Sequence, residues 1–175
     1  MSYYHYCTAE IDVWNTAKKE DLYPLFRDLL DFYGKTSFDE ESAVDDITVV
    51  LTNRPALPGA PTHSKHRDLF VRVEAQGDVS GDVEDVVKTT CKRLSQCKRL
   101  GFARGVFILT NADTMQKTRI PYGPTRSDRQ YVVLRSCLDE FMTNVEGVLP
   151  TTRHKALHAA MADVCAKATA SSRPR

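Results

Sequence analysis

Glu74 and Gln76 stand two residues apart at the end of the run DLFVRVEAQ, residues 68–76. In an extended strand that spacing puts both side chains on one face. An acid there, a second acid on the preceding strand (Asp46, or its neighbour Asp45) and a lysine at 76 would make a hydrolytic metal site. The two carboxylates would hold Mg²⁺, and the lysine would position the attacking water or balance charge. That is the chemistry of phosphodiester cleavage. Position 76 carries a neutral glutamine amide instead. Glu74 and Gln76 therefore read either as an altered active site or as the exposed end of an ordinary strand, and the missing charge favours the second.

Other reactive residues are sparser. His63 and His66 fall in a proline-rich stretch, and His154 and His158 are one helical turn apart. An i,i+4 histidine pair can bind zinc, but no third ligand accompanies this one, so solvated surface histidines are expected and no metal or cofactor is assigned. Cys91 and Cys97 fall on the apolar stripe of a helix and read as core. No phosphate-binding glycine loop or nucleophile elbow is present. Basic residues gather in two places. Lys88, Lys92, Arg93, Lys98, Arg99 and Arg104 lie along one helix and its exit, and Lys117, Arg119, Arg126 and Arg129 lie in the segment that follows. The second group is the candidate for contact with a nucleic-acid backbone. A solvated helix face and a charged loop explain the same residues.

Composition bounds these readings. The chain has 175 residues, 42% of them hydrophobic, enough for one sizeable core. Lys and Arg number 24 against 23 Asp and Glu, and the isoelectric point is near 7.7. A free-standing nucleic-acid binder usually carries a larger positive excess, so DNA contact would come from a local patch or from partners. No apolar run approaches the roughly 18 residues of a membrane span, and MSYYHYCTAEIDVW lacks the pattern of a secretory signal. Five scattered cysteines favour a reducing compartment, the cytosol or nucleus.

Periodicity supplies the elements that would position these residues. Over 17–33, Leu22, Phe26, Leu29 and Tyr33 form a helical stripe, with Asp21 as a cap, Pro24 in the first turn and Gly34 as the stop. DDITVVLTN (45–53) predicts a strand, 54–67 a loop, and 68–76 a second strand. Over 80–100, Val83, Val86, Val87, Thr90, Cys91, Leu94 and Cys97 predict a helix capped by Ser80 or Asp82 and stopped at Gly101. GVFILTN (105–111) predicts a central strand. Residues 112–130 read as a basic surface loop, YVVLRSC (131–137) as a further strand, 151–168 as a final helix, and the tail as disordered. Strand 69–76, helix 82–100 and strand 105–111 would form one right-handed β-α-β unit with parallel strands.

The stretch LFVRVEAQGDVSGDVEDVVKTTCKRLSQCKRLGFARGVFILTNADTMQK resembles the N-terminal jaw domain of the fifth common subunit of eukaryotic nuclear RNA polymerases. Val87, Lys88, Phe102, Gly105, Val106, Phe107, Asn111, Thr114 and Lys117 carry the likeness. LYPLFRDLLDFYGKTSFDEE is similar to that family's first helix and its exit. Leu149, Pro150 and His154, within NVEGVLPTTRHKAL, are similar to its Leu-Pro segment. The likeness spans roughly residues 17–157.

The resemblance implies an α/β domain of two or three layers, restriction-endonuclease-like but without a catalytic site, with a C-terminal helix added. It also implies a division into a jaw domain with an extended N-terminus (1–147), a docking segment and helix (148–168) and a tail (169–175). The function it implies is that of a non-catalytic subunit of a nuclear DNA-dependent RNA polymerase, working by protein contact near downstream DNA. The family anchors itself to the largest polymerase subunit, and here Leu149, Pro150, His154, Leu157 and Met161 are the expected anchor. Lys117, Arg119, Arg126 and Arg129 would supply weak DNA-backbone contact. The alternatives are a metal-dependent nuclease using Asp46, Glu74 and Gln76, and an α/β scaffold of another complex.

Overall fold

In a computed structural model of the chain, the described residues are 3–13, 19–33, 47–53, 69–79, 82–97 and 103–171. Their elements are β1 (Tyr3–Val13), α1 (Lys19–Phe32), β2 (Ile47–Asn53), β3 (Leu69–Val79), α2 (Val83–Gln96), β4 (Ala103–Asn111), β5 (Lys117–Tyr122), α3 (Arg126–Val145) and α4 (Thr151–Ser171). The five strands form one sheet in the order β2-β3-β1-β4-β5, antiparallel at every neighbouring pair.

The expected β-α-β unit is present in altered form. β3 and β4 are joined through α2 and run in the same direction, since each is antiparallel to β1. They are not neighbours, because β1 lies between them. The connection β1-α1-β2 straddles β3 in the same way. The first six elements thus follow the split, ferredoxin-like β-α-β-β-α-β order. The sequence reading left β1 without a role, yet its residues alternate cleanly. Cys7, Ala9 and Ile11 are buried on one face, and Tyr4 and Tyr6 are exposed on the other. β4 approaches β1 so closely that a Cβ on Gly105 would lie 2.4 Å from the Glu10 carbonyl oxygen, so only glycine fits.

The domain has three layers. Cys7, Ala9, Ile11, Val71, Val73, Ala75, Phe107 and Leu109 project from one sheet face into a core closed by Leu22, Phe26, Leu29 and Leu30 of α1 and Val83, Val87 and Leu94 of α2. Both helices follow their expected stripes. Arg93 of α2 ties them together, reaching Asp28 at 2.8 Å and the carbonyl of Pro24 at 3.3 Å. On the opposite face Val106 and Ile108 meet α3, and α4 folds back on α3 to share Leu138, Met142, Leu157, Met161 and Ala162. Gly147, at φ +79°, permits the turn between these two helices.

Several expectations are corrected. Residues 131–137 are helical, in the middle of α3. Thr125 and Asp128 form a reciprocal capping box at its start, and Asp128, Tyr131, Val132, Leu138 and Met142 give it a helical buried stripe. Cap and stripe together outweigh the β-preference of Tyr-Val-Val. The basic loop 112–130 is a hairpin and a helix start. Asn111 Oδ1 accepts from the backbone N–H groups of Asp113 and Thr114, closing a tight turn from β4 into β5. Pro121 is tolerated because β5 is an edge strand. Asp21 lies within α1 rather than capping it. Asp82 does cap α2, accepting from Glu84 N–H at 2.9 Å, and α2 ends at Gln96. α4 continues to Ser171, so 169–171 are helical where a disordered tail was expected. Gly34, Asp45, Asp46, His63, His66, Ser80, Lys98, Arg99, Gly101, Phe102 and residues 172–175 lie outside the described residues.

Candidate functional site

α3 lies against β4 and β5, and on the same face the β1 and β3 positions are exposed or half-buried. Strand register aligns this face in rows. Gln76, Tyr6, Thr110 and Lys117 form one row, and Glu74, Thr8, Ile108 and Arg119 the next. Arg72, Glu10, Val106 and Pro121 form a third. The rings of Tyr4 and Tyr6 stand edge to face at 5.4 Å and are 37% and 40% exposed. Alternation in YYHYCTAEIDV was the signal that could have placed them on one face.

Glu74 and Gln76 share this face, as their spacing predicts. The Glu74 carboxylate sits 2.7 Å from the Arg72 guanidinium on the same strand. Both side chains are well exposed, so the pair contributes little to stability. What it does is set a positive group against the one acid the nuclease reading requires on this strand. Among the described residues, no three His, Cys, Asp or Glu side chains come together as a metal site.

The second basic group divides in two. Lys117 and Arg119 both pair with Glu140 of α3, Lys117 at 2.5 Å. The hydrogen bond from Lys117 is the largest influence on that carboxyl and holds it below the ordinary carboxylate range. These two cations therefore clamp β5 to α3. Arg126 and Arg129 are exposed on the first turns of α3, where Arg129 donates to the Gly123 carbonyl at 2.8 Å. Arg104, the last of the first basic group, is buried between Asp12 and Asp128 and is likewise structural.

Of the expected anchor residues, Leu157 and Met161 pack on α3. A His154 ring nitrogen lies 3.4 Å from the Met142 carbonyl, Leu149 is half-buried, and Pro150 is exposed. Larger apolar exposure belongs to their neighbours Val148, at 75%, and Val164, at 58%. Cys91 and Cys97 are half-buried against the core, as expected of core residues.

The residues that carry the family likeness have identifiable structural duties. Val87, Gly105, Val106 and Phe107 are buried, Asn111 closes the hairpin turn, and Thr114 Oγ accepts from Gln116 N–H within it. No described helix is long and apolar enough to cross a membrane. In comparisons with known proteins, no family model, no curated protein and no solved structure matches this chain.

Proposed function

We propose that this chain works by contact rather than by catalysis, as a subunit of a larger assembly, and that the open half of its sheet is the contact face. The observation that carries this reading is the exposed Tyr4–Tyr6 pair on a central strand, with exposed Arg72 two rows further along the same sheet face. Tyrosine and arginine are the residues most enriched where interfaces concentrate binding energy, since each offers a large flat area with a polar end. A folded chain gains nothing from leaving two adjacent rings in water.

The narrower form of the reading is a non-catalytic subunit of a nuclear RNA polymerase. It rests on the residue pattern of 69–117, and contact with the largest polymerase subunit is part of what it proposes. Nuclear localisation belongs to the same proposal.

The test is affinity purification of the tagged chain from native extract, with its partners identified, beside a Tyr4→Ala/Tyr6→Ala variant. Polymerase subunits should be recovered with the wild type and lost with the variant. Recovery of another assembly would remove the polymerase assignment. Partners equally retained by the variant would remove the sheet face. Purified protein given duplex or single-stranded DNA with Mg²⁺ or Mn²⁺ should yield no product, and cleavage abolished by Glu74→Ala would overturn the contact reading altogether.

A further inference from the structure

A second surface, independent of the sheet face, lies on the outer side of α3. Arg126, Arg129, Gln130, Val133 and Leu134 line a groove there with Pro121 of β5, and its volume is about 500 Å³. Binding sites for compact ligands occupy roughly 300–1,000 Å³. Pro121, Val133 and Leu134 make its wall aliphatic, while the two arginines, three residues apart, share one flank of the helix.

Charge singles this groove out. Between residues 103 and 145 the other basic side chains are neutralised within the fold. Arg104 meets Asp12 and Asp128, Lys117 and Arg119 meet Glu140, and Arg135 meets Asp139. Arg126 and Arg129 form no ion pair among the described residues, and both stand at the positive end of the α3 dipole. Gln130 adds a third feature, since its Oε1 is shielded from water and has no hydrogen-bond donor among the described residues. A buried acceptor left unmet is uncommon in native structures and is satisfied at a binding site by the ligand's own N–H.

We propose that this groove binds a short acidic peptide segment of a partner protein. An aliphatic side chain of the peptide enters between Pro121, Val133 and Leu134, its flanking carboxylates meet Arg126 and Arg129, and the Gln130 amide turns outward to accept a peptide N–H. A nucleic acid fits less well. No aromatic ring lines the groove for a base to stack on, two cations engage few phosphates, and a phosphodiester has no N–H to offer Gln130.

The experiment is selection of a random dodecapeptide phage library on the full-length chain, followed by titration of the synthetic consensus peptide. Selected peptides should place Asp or Glu around Leu, Ile or Val. Arg126→Glu/Arg129→Glu should weaken the consensus peptide by about tenfold or more, the expected result of losing charge-assisted hydrogen bonds. Val133→Asp, which keeps both arginines, should weaken it too, and Arg153→Glu on α4 should leave it unchanged. Circular dichroism confirms that each variant is folded. Selection without acidic enrichment, or a consensus peptide indifferent to the charge reversal, overturns the proposal. Oligothymidylate binding tighter than the peptide, and lost in the same double variant, would overturn it in favour of nucleic acid.

Discussion

Arg104 reaches Asp128 at 3.3 Å with both side chains sealed from water, 1% and 0% exposed. The guanidinium also meets Asp12 at 3.3 Å and lies 4.2 Å from the centre of the Tyr131 ring. Asp12 is on β1, Arg104 on β4, and Asp128 and Tyr131 in the first turns of α3. One cation therefore joins two central strands to the helix packed on that side of the sheet. Asp128 is also half of the α3 capping box, so the same carboxylate starts the helix and fixes it to the sheet. Arg104→Met should cost about 3–5 kcal/mol, because it leaves a buried carboxylate without its partner. Against a total of roughly 5–15 kcal/mol, that is a large fraction of the stability. Urea unfolding measures it, and a loss under about 1 kcal/mol would show that Asp128 is satisfied without Arg104.

Phe107 is wholly buried between β1 and β5 and faces α1 and α2. Phe107→Ala should cost about 3–5 kcal/mol through lost burial and the cavity left behind. Ile108, its neighbour on the opposite face, is half-buried, so Ile108→Val should cost only about 0.5–1.5 kcal/mol. Equal losses at both positions would contradict the assignment of the two sheet faces.

Legibility in the sequence followed the strength of each pattern. α1 and α2 were readable because their apolar residues recur at helical spacing and the core uses those positions. β3 and β4 were readable as strands, but their pairing was not. Nothing local in DLFVRVEAQ or GVFILTN reveals that β1 runs between them, since sheet order is decided by contacts distant in sequence. β1 itself was missed because its exposed face carries tyrosines, acids and threonine among small buried residues, which conceals an alternation that is nonetheless strict. In α3 the β-prone run Tyr131–Val133 suggests a strand and masks the capping box that Thr125 and Asp128 spell out. At the candidate sites, spacing placed Glu74 and Gln76 on one face correctly. It could not foresee that Arg72 would occupy Glu74, or that Glu140 would take Lys117 and Arg119 out of the basic cluster.

Glu140 makes the β5–α3 contact sensitive to acid. Its carboxyl is held below its ordinary value, first by the hydrogen bond from Lys117. A carboxyl depressed in the folded state contributes stability that is fully present above its unfolded value. That contribution is lost as pH falls through the lower folded value. The side chain is partly exposed, so the effect is modest. Wild type and Glu140→Gln should therefore differ in thermal midpoint by a constant amount from pH 7 down to about 5, and the difference should shrink as pH falls further. A gap that instead widens on acidification would mean that Glu140 is not the group clamping β5.

The cysteines should separate by reactivity. Only the thiolate attacks an alkylating reagent, so burial suppresses reaction twice, by blocking access and by raising the thiol's pKa. Burial pushes Cys7, beneath the sheet, up to about 12, and does the same to Cys91 on α2. At neutral pH each is a thiolate in about one molecule in ten thousand or fewer. Cys137, on the outer side of α3, is exposed. Iodoacetamide at pH 7.5, with peptide mapping over time, should label Cys137 long before Cys7 or Cys91. Urea should bring all three to similar rates. Rapid labelling of Cys7 in the folded protein would mean that β1 leaves the sheet readily, and the central position given to it here would have to be abandoned.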